Sequence, residues 1–109
     1  MELSKNTQPT DEQVSQWQEQ YGRLKKAVVK DAENEEEMAF YFKKIDLKLL
    51  RLANQVLTQE KDTVKYAEVI LKNTIINGLD CLEDSDVFLA LVPIVDKLLT
   101  SKVASLEKN

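Results

Sequence analysis

The sequence predicts an α+β domain, mostly helical: an N-terminal helix, a β-hairpin, then three helices packed on one face of the hairpin. Three observations predict it. Gly 2 and Pro 2 in 109 residues leave few breaks, so long helical elements are expected. Apolar residues recur at helical spacing over 14–21, 49–57, 64–75 and 87–99. Between the first two of these runs, two segments rich in β-branched and aromatic residues flank a polar stretch, which reads as a hairpin. A composition of 43% hydrophobic and 31% charged residues suits a folded domain. Residues 10–104 are read as one domain, with flexible termini over 1–9 and 105–109.

Thr10 stands three residues before Gln13, where a hydroxyl and an amide cap each other's backbone donors. Val14, Trp17 and Tyr21 then share one helix face that Gly22 terminates. Trp17 and Tyr21 are either core anchors or part of a partner-binding face.

The hairpin pairs 24–30 with 37–42. Setting Lys30 against Glu37 places opposite charges across the ladder, Val29 opposite Met38 and Ala27 opposite Phe40. A one-residue slip would oppose Asp31 to Glu37 and turn every apolar side chain over. One face then carries Ala27, Val29, Met38, Phe40 and Phe42, which a two-stranded ribbon cannot bury alone. Val28 and Tyr41 fall on the opposite face and, with Trp17 and Tyr21, are the candidate protein contacts.

Asp46 caps the next helix, whose Leu49, Leu50, Ala53, Val56 and Leu57 form a wide apolar stripe. Asp62 or Thr63 opens a third, with Val64, Ala67, Leu71, Thr74 and Ile75 on its inner face and Asn77-Gly78 as a left-handed cap. Asp84 or Ser85 opens the last. Its saturated run from Val87 to Val95 is expected to be buried on most sides, and Pro93 either kinks one helix or divides two.

Charge is laid out in blocks. Arg23, Lys25, Lys26 and Lys30 precede Asp31, Glu33, Glu35, Glu36 and Glu37, and Lys43, Lys44, Lys48 and Arg51 follow against Asp46 alone. An antiparallel hairpin brings the first and third blocks together, so its open end is a basic patch of Arg23, Lys25, Lys26, Lys43 and Lys44 and its tip is acidic. The patch reads as a solvated ribbon protected from edge pairing, or as a dock for an acidic surface or a phosphate backbone. A net charge of -4 argues against nucleic acid as the main partner.

No catalytic apparatus is visible. His 0 removes the usual general base and metal ligand, and Cys 1 excludes an internal disulfide or a zinc cluster. Cys81 has no histidine to make its thiolate, and its acidic neighbours oppose ionisation, so it reads as a structural thiol. The spacing Asp80-x-x-Glu83-Asp84-x-Asp86 lacks the glycine and terminal glutamate of a calcium loop. No enzyme activity, cofactor or metal is expected. The N-terminus shows no signal peptide, and the longest apolar run falls short of the ~20 residues that span a bilayer. The expected location is the cytoplasm, without membrane attachment.

Trp17, Tyr21 and Gly22, then a basic-to-aromatic hairpin, Asn73 and Gly78, and Asp86 with Phe88 form an ordered set over residues 10–100. In this order the chain resembles small phage and prophage proteins of the tail assembly chaperone type. Such proteins often carry a proline-containing turn after the second strand, where this chain reads Lys43-Lys44-Ile45-Asp46. The resemblance implies a non-enzymatic protein in the bacterial host cytoplasm that protects or delivers a tail component, or self-associates. The alternative reading is a small regulatory or nucleic-acid-associated adaptor that uses the basic patch.

Overall fold

The computed structural model describes residues 6–31, 33, 35–99 and 104–107. The elements run α1 (Asp11–Tyr21), β1 (Lys25–Lys30), β2 (Glu37–Phe42), α2 (Leu47–Glu60), α3 (Thr63–Thr74), a 3-10 turn (Leu79–Glu83), α4 (Ser85–Leu91) and α5 (Ile94–Leu99). This is the α+β architecture expected, with the final apolar run divided at Pro93 into α4 and α5. A proline lacks the N–H that would continue the ladder, and here the chain turns instead of kinking.

Local chemistry sets the helix ends. The Thr10 hydroxyl accepts from the Gln13 amide at 3.2 Å, and the Gln13 side chain accepts from the Thr10 amide at 3.0 Å. Asp46, Asp62 and Asp84 each accept a backbone N–H at the starts of α2, α3 and α4. Such caps contribute about 1 kcal/mol apiece.

The hairpin adopts the expected register: Lys30 pairs with Glu37, Val29 with Met38 and Ala27 with Phe40. Ala27, Phe40 and Phe42 are buried, and Val29 and Met38 pack at the margin of the same core. Onto this face come Ala53 of α2, Ala67, Ile70 and Leu71 of α3, Leu82 of the 3-10 turn, Val87 and Leu91 of α4, and Val95 and Leu98 of α5. Each fully buried Phe or Leu contributes roughly 1.5–3 kcal/mol, so this layer supplies most of the stabilisation. Helix α1 lies on the opposite face, where the Trp17 and Tyr41 rings meet at 5.8 Å.

Three expectations differ. Helix α3 ends at Thr74 rather than at Asn77-Gly78. Residues 75–77 instead run extended along the outer edge of β2: Lys43 N–H donates to Thr74 O at 2.9 Å and Ile76 N–H to Tyr41 O at 2.8 Å. The strand edge gives these backbone groups the partners that the helix ladder would otherwise supply, and it satisfies the Tyr41 carbonyl and the Lys43 N–H as well. Asn6 and Thr7 belong to the stretch read as flexible, yet Ala39 N–H donates to Thr7 O at 2.8 Å. They extend the same edge. Residues 1–5, 108 and 109 of the expected termini, and residues 100–103 before the expected domain end at 104, lie outside the described residues. Lastly, Leu89 and Ala90 of the saturated run are exposed, and Val64 of α3 faces outward while Ile70 takes the core.

Asn77 organises this edge. It is 0% exposed. Its Nδ2 donates to Asn6 O at 2.6 Å and to Ala39 O at 2.8 Å, and its Oδ1 accepts from Tyr41 N–H at 2.8 Å. One side-chain amide thus stands in for a strand residue between β2 and the N-terminal segment. Gly78 follows with φ +77°, and a Cβ there would lie 2.5 Å from Phe40 Cε1.

Candidate functional site

The structure sorts the candidate contact residues into two groups. Trp17 is 6% exposed and packs against Tyr41, so it anchors α1 and has little surface to offer a partner. That is the core reading of its position on the helix face. Tyr41 is half-buried beneath it. Tyr21 and Val28 remain exposed, Val28 at 46%.

The basic patch divides in the same way. Lys26 Nζ sits 5.8 Å from the Tyr41 ring centre, and Lys43 Nζ lies 5.6 Å from that of Tyr21. Each such contact is worth about 0.5–1 kcal/mol at an exposed site. Lys25 Nζ donates to the Lys97 carbonyl on α5. Lys25 and Lys26 therefore stand beside α5, while Lys43 and Lys44 extend toward α2. Arg23 is exposed between α1 and β1.

The outer edge of β1 is open. Asp31 N–H donates to Glu36 O at 2.9 Å, and this phases the ladder so that Lys26 and Val28 turn their backbone groups away from β2. Among the described residues those groups have no backbone partner. In antiparallel self-pairing centred on Val28, Lys26 would oppose Lys30 of the second strand, and like charges disfavour that ladder.

Helix α2 leaves apolar surface uncovered. Of its wide apolar stripe, Ala53 is the one fully buried residue. Leu49, Leu50, Val56 and Leu57 are half-covered, and Leu47 and Leu52 are 67% and 50% exposed. The cause is placement. Helix α2 packs chiefly on α3 at the margin of the molecule, and one neighbour cannot cover a helix with leucines on more than one side.

Beside it runs an open groove of about 540 Å³ lined by Lys43, Lys44, Asp46, Lys48, Leu49, Arg51, Leu52, Gln55 and Asn73. Lys48, Arg51, Leu52 and Gln55 follow at i, i+3, i+4 and i+7, one face of α2. The end of β2 supplies Lys43 and Lys44. Four bases thus meet one acid, and the Asp46 carboxylate already accepts the Leu49 amide at 2.7 Å. Reasoning from sequence placed Lys48 and Arg51 in a basic block but left them out of the patch, and it missed Leu47 and Leu52. The signal was present: leucines at 47, 49, 50 and 52 are too many for one stripe.

Cys81 is half-buried. Burial pushes its thiol pKa up, and the nearby Asp80 and Asp84 carboxylates push it further the same way. Native Cys81 is therefore expected to react with a thiol-disulfide reagent at pH 7 more slowly than the unfolded chain does. The rate should begin to climb at a higher pH than in the unfolded chain. Because the folded-state value is the higher one, the associated stability is intact below the unfolded pKa and is lost as pH rises through the folded one. Equal native and unfolded labelling rates would contradict this.

Among the described residues no three His, Cys, Asp or Glu side chains gather where they could hold a metal ion. No helix of the described residues is long and apolar enough to cross a membrane.

No family model matches the chain, and no curated protein matches it. The fold is similar to the solved structure of the uncharacterised protein rbstp2171 from Bacillus stearothermophilus, with a TM-score of 0.62 at 15% identity. That match covers 87% of this chain and 99% of the other. At this identity the likeness concerns the fold alone.

Proposed function

We propose that this is a non-enzymatic interaction protein, a phage or prophage tail assembly chaperone or related morphogenesis factor, that holds a protein partner against apolar surface in the bacterial host cytoplasm. The observation that carries the interaction reading is α2, a 14-residue helix whose apolar stripe is only partly covered by α3 and whose Leu47 and Leu52 face outward. A surface of this kind gains free energy when a partner removes it from water, at about 25 cal/mol per Å² of apolar area. The phage assignment rests on the sequence resemblance through Trp17, Tyr21, Gly22, Asn73, Gly78, Asp86 and Phe88.

The adaptor reading needs cations presented together to phosphates. Lys25 and Lys26 are each already engaged by a protein group, which favours the protein-partner reading.

A tail tube or tape-measure gene is expected beside the one for this chain, and the test is co-expression with its product. A complex of fixed stoichiometry in size-exclusion chromatography with light scattering is expected, and Leu47→Ser with Leu52→Ser should weaken it at least tenfold. A strict monomer with no co-purifying tail protein would sink the proposal.

A further inference from the structure

We infer that the groove between α2 and the end of β2 is the docking site for an acidic segment of a protein partner that carries an apolar side chain between its carboxylates. This deepens the interaction reading and rests on it. Charge complementarity identifies the occupant: Lys43, Lys44, Lys48 and Arg51 line the groove against Asp46 alone, on a chain whose net charge is -4. A local field opposite in sign to the whole molecule marks where an anionic partner is drawn in.

The groove's floor decides between anionic partners. Leu49 and the half-exposed Leu52 lie among the bases. A phosphate backbone gains nothing from leucines, and single-strand binding would call for aromatic platforms, of which the lining has none. An apolar side chain flanked by carboxylates satisfies both parts of the lining at once. Lys48, Arg51, Leu52 and Gln55 span about 10 Å along α2, the length of two helical turns. Asp46, whose Oδ1 accepts the Leu49 amide, offsets one of these four bases, so the lining keeps a net positive charge. A groove of about 540 Å³ takes a few side chains of such a segment rather than a whole folded surface.

The experiment is fluorescence anisotropy on the full chain with three probes: a two-turn synthetic peptide with leucines flanked by glutamates, its counterpart with lysine at every glutamate, and a short oligothymidine. The acidic peptide is expected to bind, with affinity falling as salt is raised. Lys48→Glu with Arg51→Glu should weaken it roughly tenfold. Leu52→Ser should weaken it several-fold without altering the salt slope. Arg23→Glu, an exposed base outside the groove, should leave it unchanged, and the lysine peptide should not bind. Circular dichroism on each variant checks the fold.

Unchanged binding of the acidic peptide by the groove variants overturns the inference, as does no binding by the wild-type chain. Oligothymidine binding that is lost with Arg51→Glu but indifferent to Leu52→Ser also overturns it, by making the groove a phosphate site. If the tail component co-purifies equally with wild type and with the Lys48→Glu/Arg51→Glu variant, the groove inference falls while the proposed function stands. If it co-purifies with neither, the function falls.

Discussion

Replacing Asn77 with alanine is expected to lower stability by about 3–5 kcal/mol and to release the N-terminal segment from the sheet. The side chain makes three hydrogen bonds at a fully buried position, to Asn6 O, Ala39 O and from Tyr41 N–H. Removing it leaves the Tyr41 N–H and the Ala39 carbonyl without this partner, at ~1–3 kcal/mol for each group left unsatisfied, and opens a void beside them. Denaturant unfolding measures the loss. Hydrogen exchange locates it, because the Ala39 amide, which donates to Thr7 O, should exchange faster than in the wild type. Asn77→Asp should be worse at pH 7 than at pH 4, since only the protonated carboxyl can donate to either carbonyl. A loss below about 1 kcal/mol, with Ala39 still protected, would show that Asn77 does not hold this edge.

Gly78→Ala is expected to cost about 3 kcal/mol, a fall in Tm of roughly 12 °C at about 4 °C per kcal/mol. Two terms add. The left-handed backbone at φ +77° costs an alanine about 1–2 kcal/mol. The new methyl would also stand 2.5 Å from Phe40 Cε1 and 2.8 Å from Cδ1, and Phe40 is fully buried with nowhere to retreat, so overpacking adds ~1–3 kcal/mol. A double-mutant cycle with Phe40→Leu separates the terms. The pair should cost less than the two changes summed, because the smaller side chain relieves the clash and leaves only the backbone strain. Strict additivity would show that Phe40 is not what the glycine accommodates.

Both positions belong to the turn after α3, where the reading from sequence was least accurate. Asn77-Gly78 is a familiar helix-ending pair, and taken locally it closes α3. The helix stops three residues earlier because the open edge of β2 lies within reach of residues 75–77. A dipeptide cannot announce a partner that is 36 residues away in the chain. The flexible reading of residues 1–9 missed Asn6 and Thr7 for the same reason: their partners are Asn77 and Ala39.

The candidate site was legible in part. The basic block 43–51 and the leucines of α2 stood in the sequence, but a stripe alone does not say how much of it a neighbour will cover. Helix α2 has α3 on one side and solvent on the other, and this exposes Leu52 beside Lys48 and Arg51. Trp17 illustrates the converse. An aromatic at the right spacing suits a binding face as well as a core, and only the position of Tyr41 beneath it accounts for its burial.

What the sequence by itself determined are the features governed by neighbours in the chain. The capping box at Thr10 and Gln13, the aspartate caps and the hairpin register follow from side chains a few residues apart, or from pairs whose alternatives oppose like charges. The tertiary structure alone decided where α3 ends, which face of the hairpin receives Trp17, and which leucines of α2 stay in water. Each of these depends on the competition of distant segments for the same backbone edge or apolar surface, and that competition is resolved only when the segments are brought together.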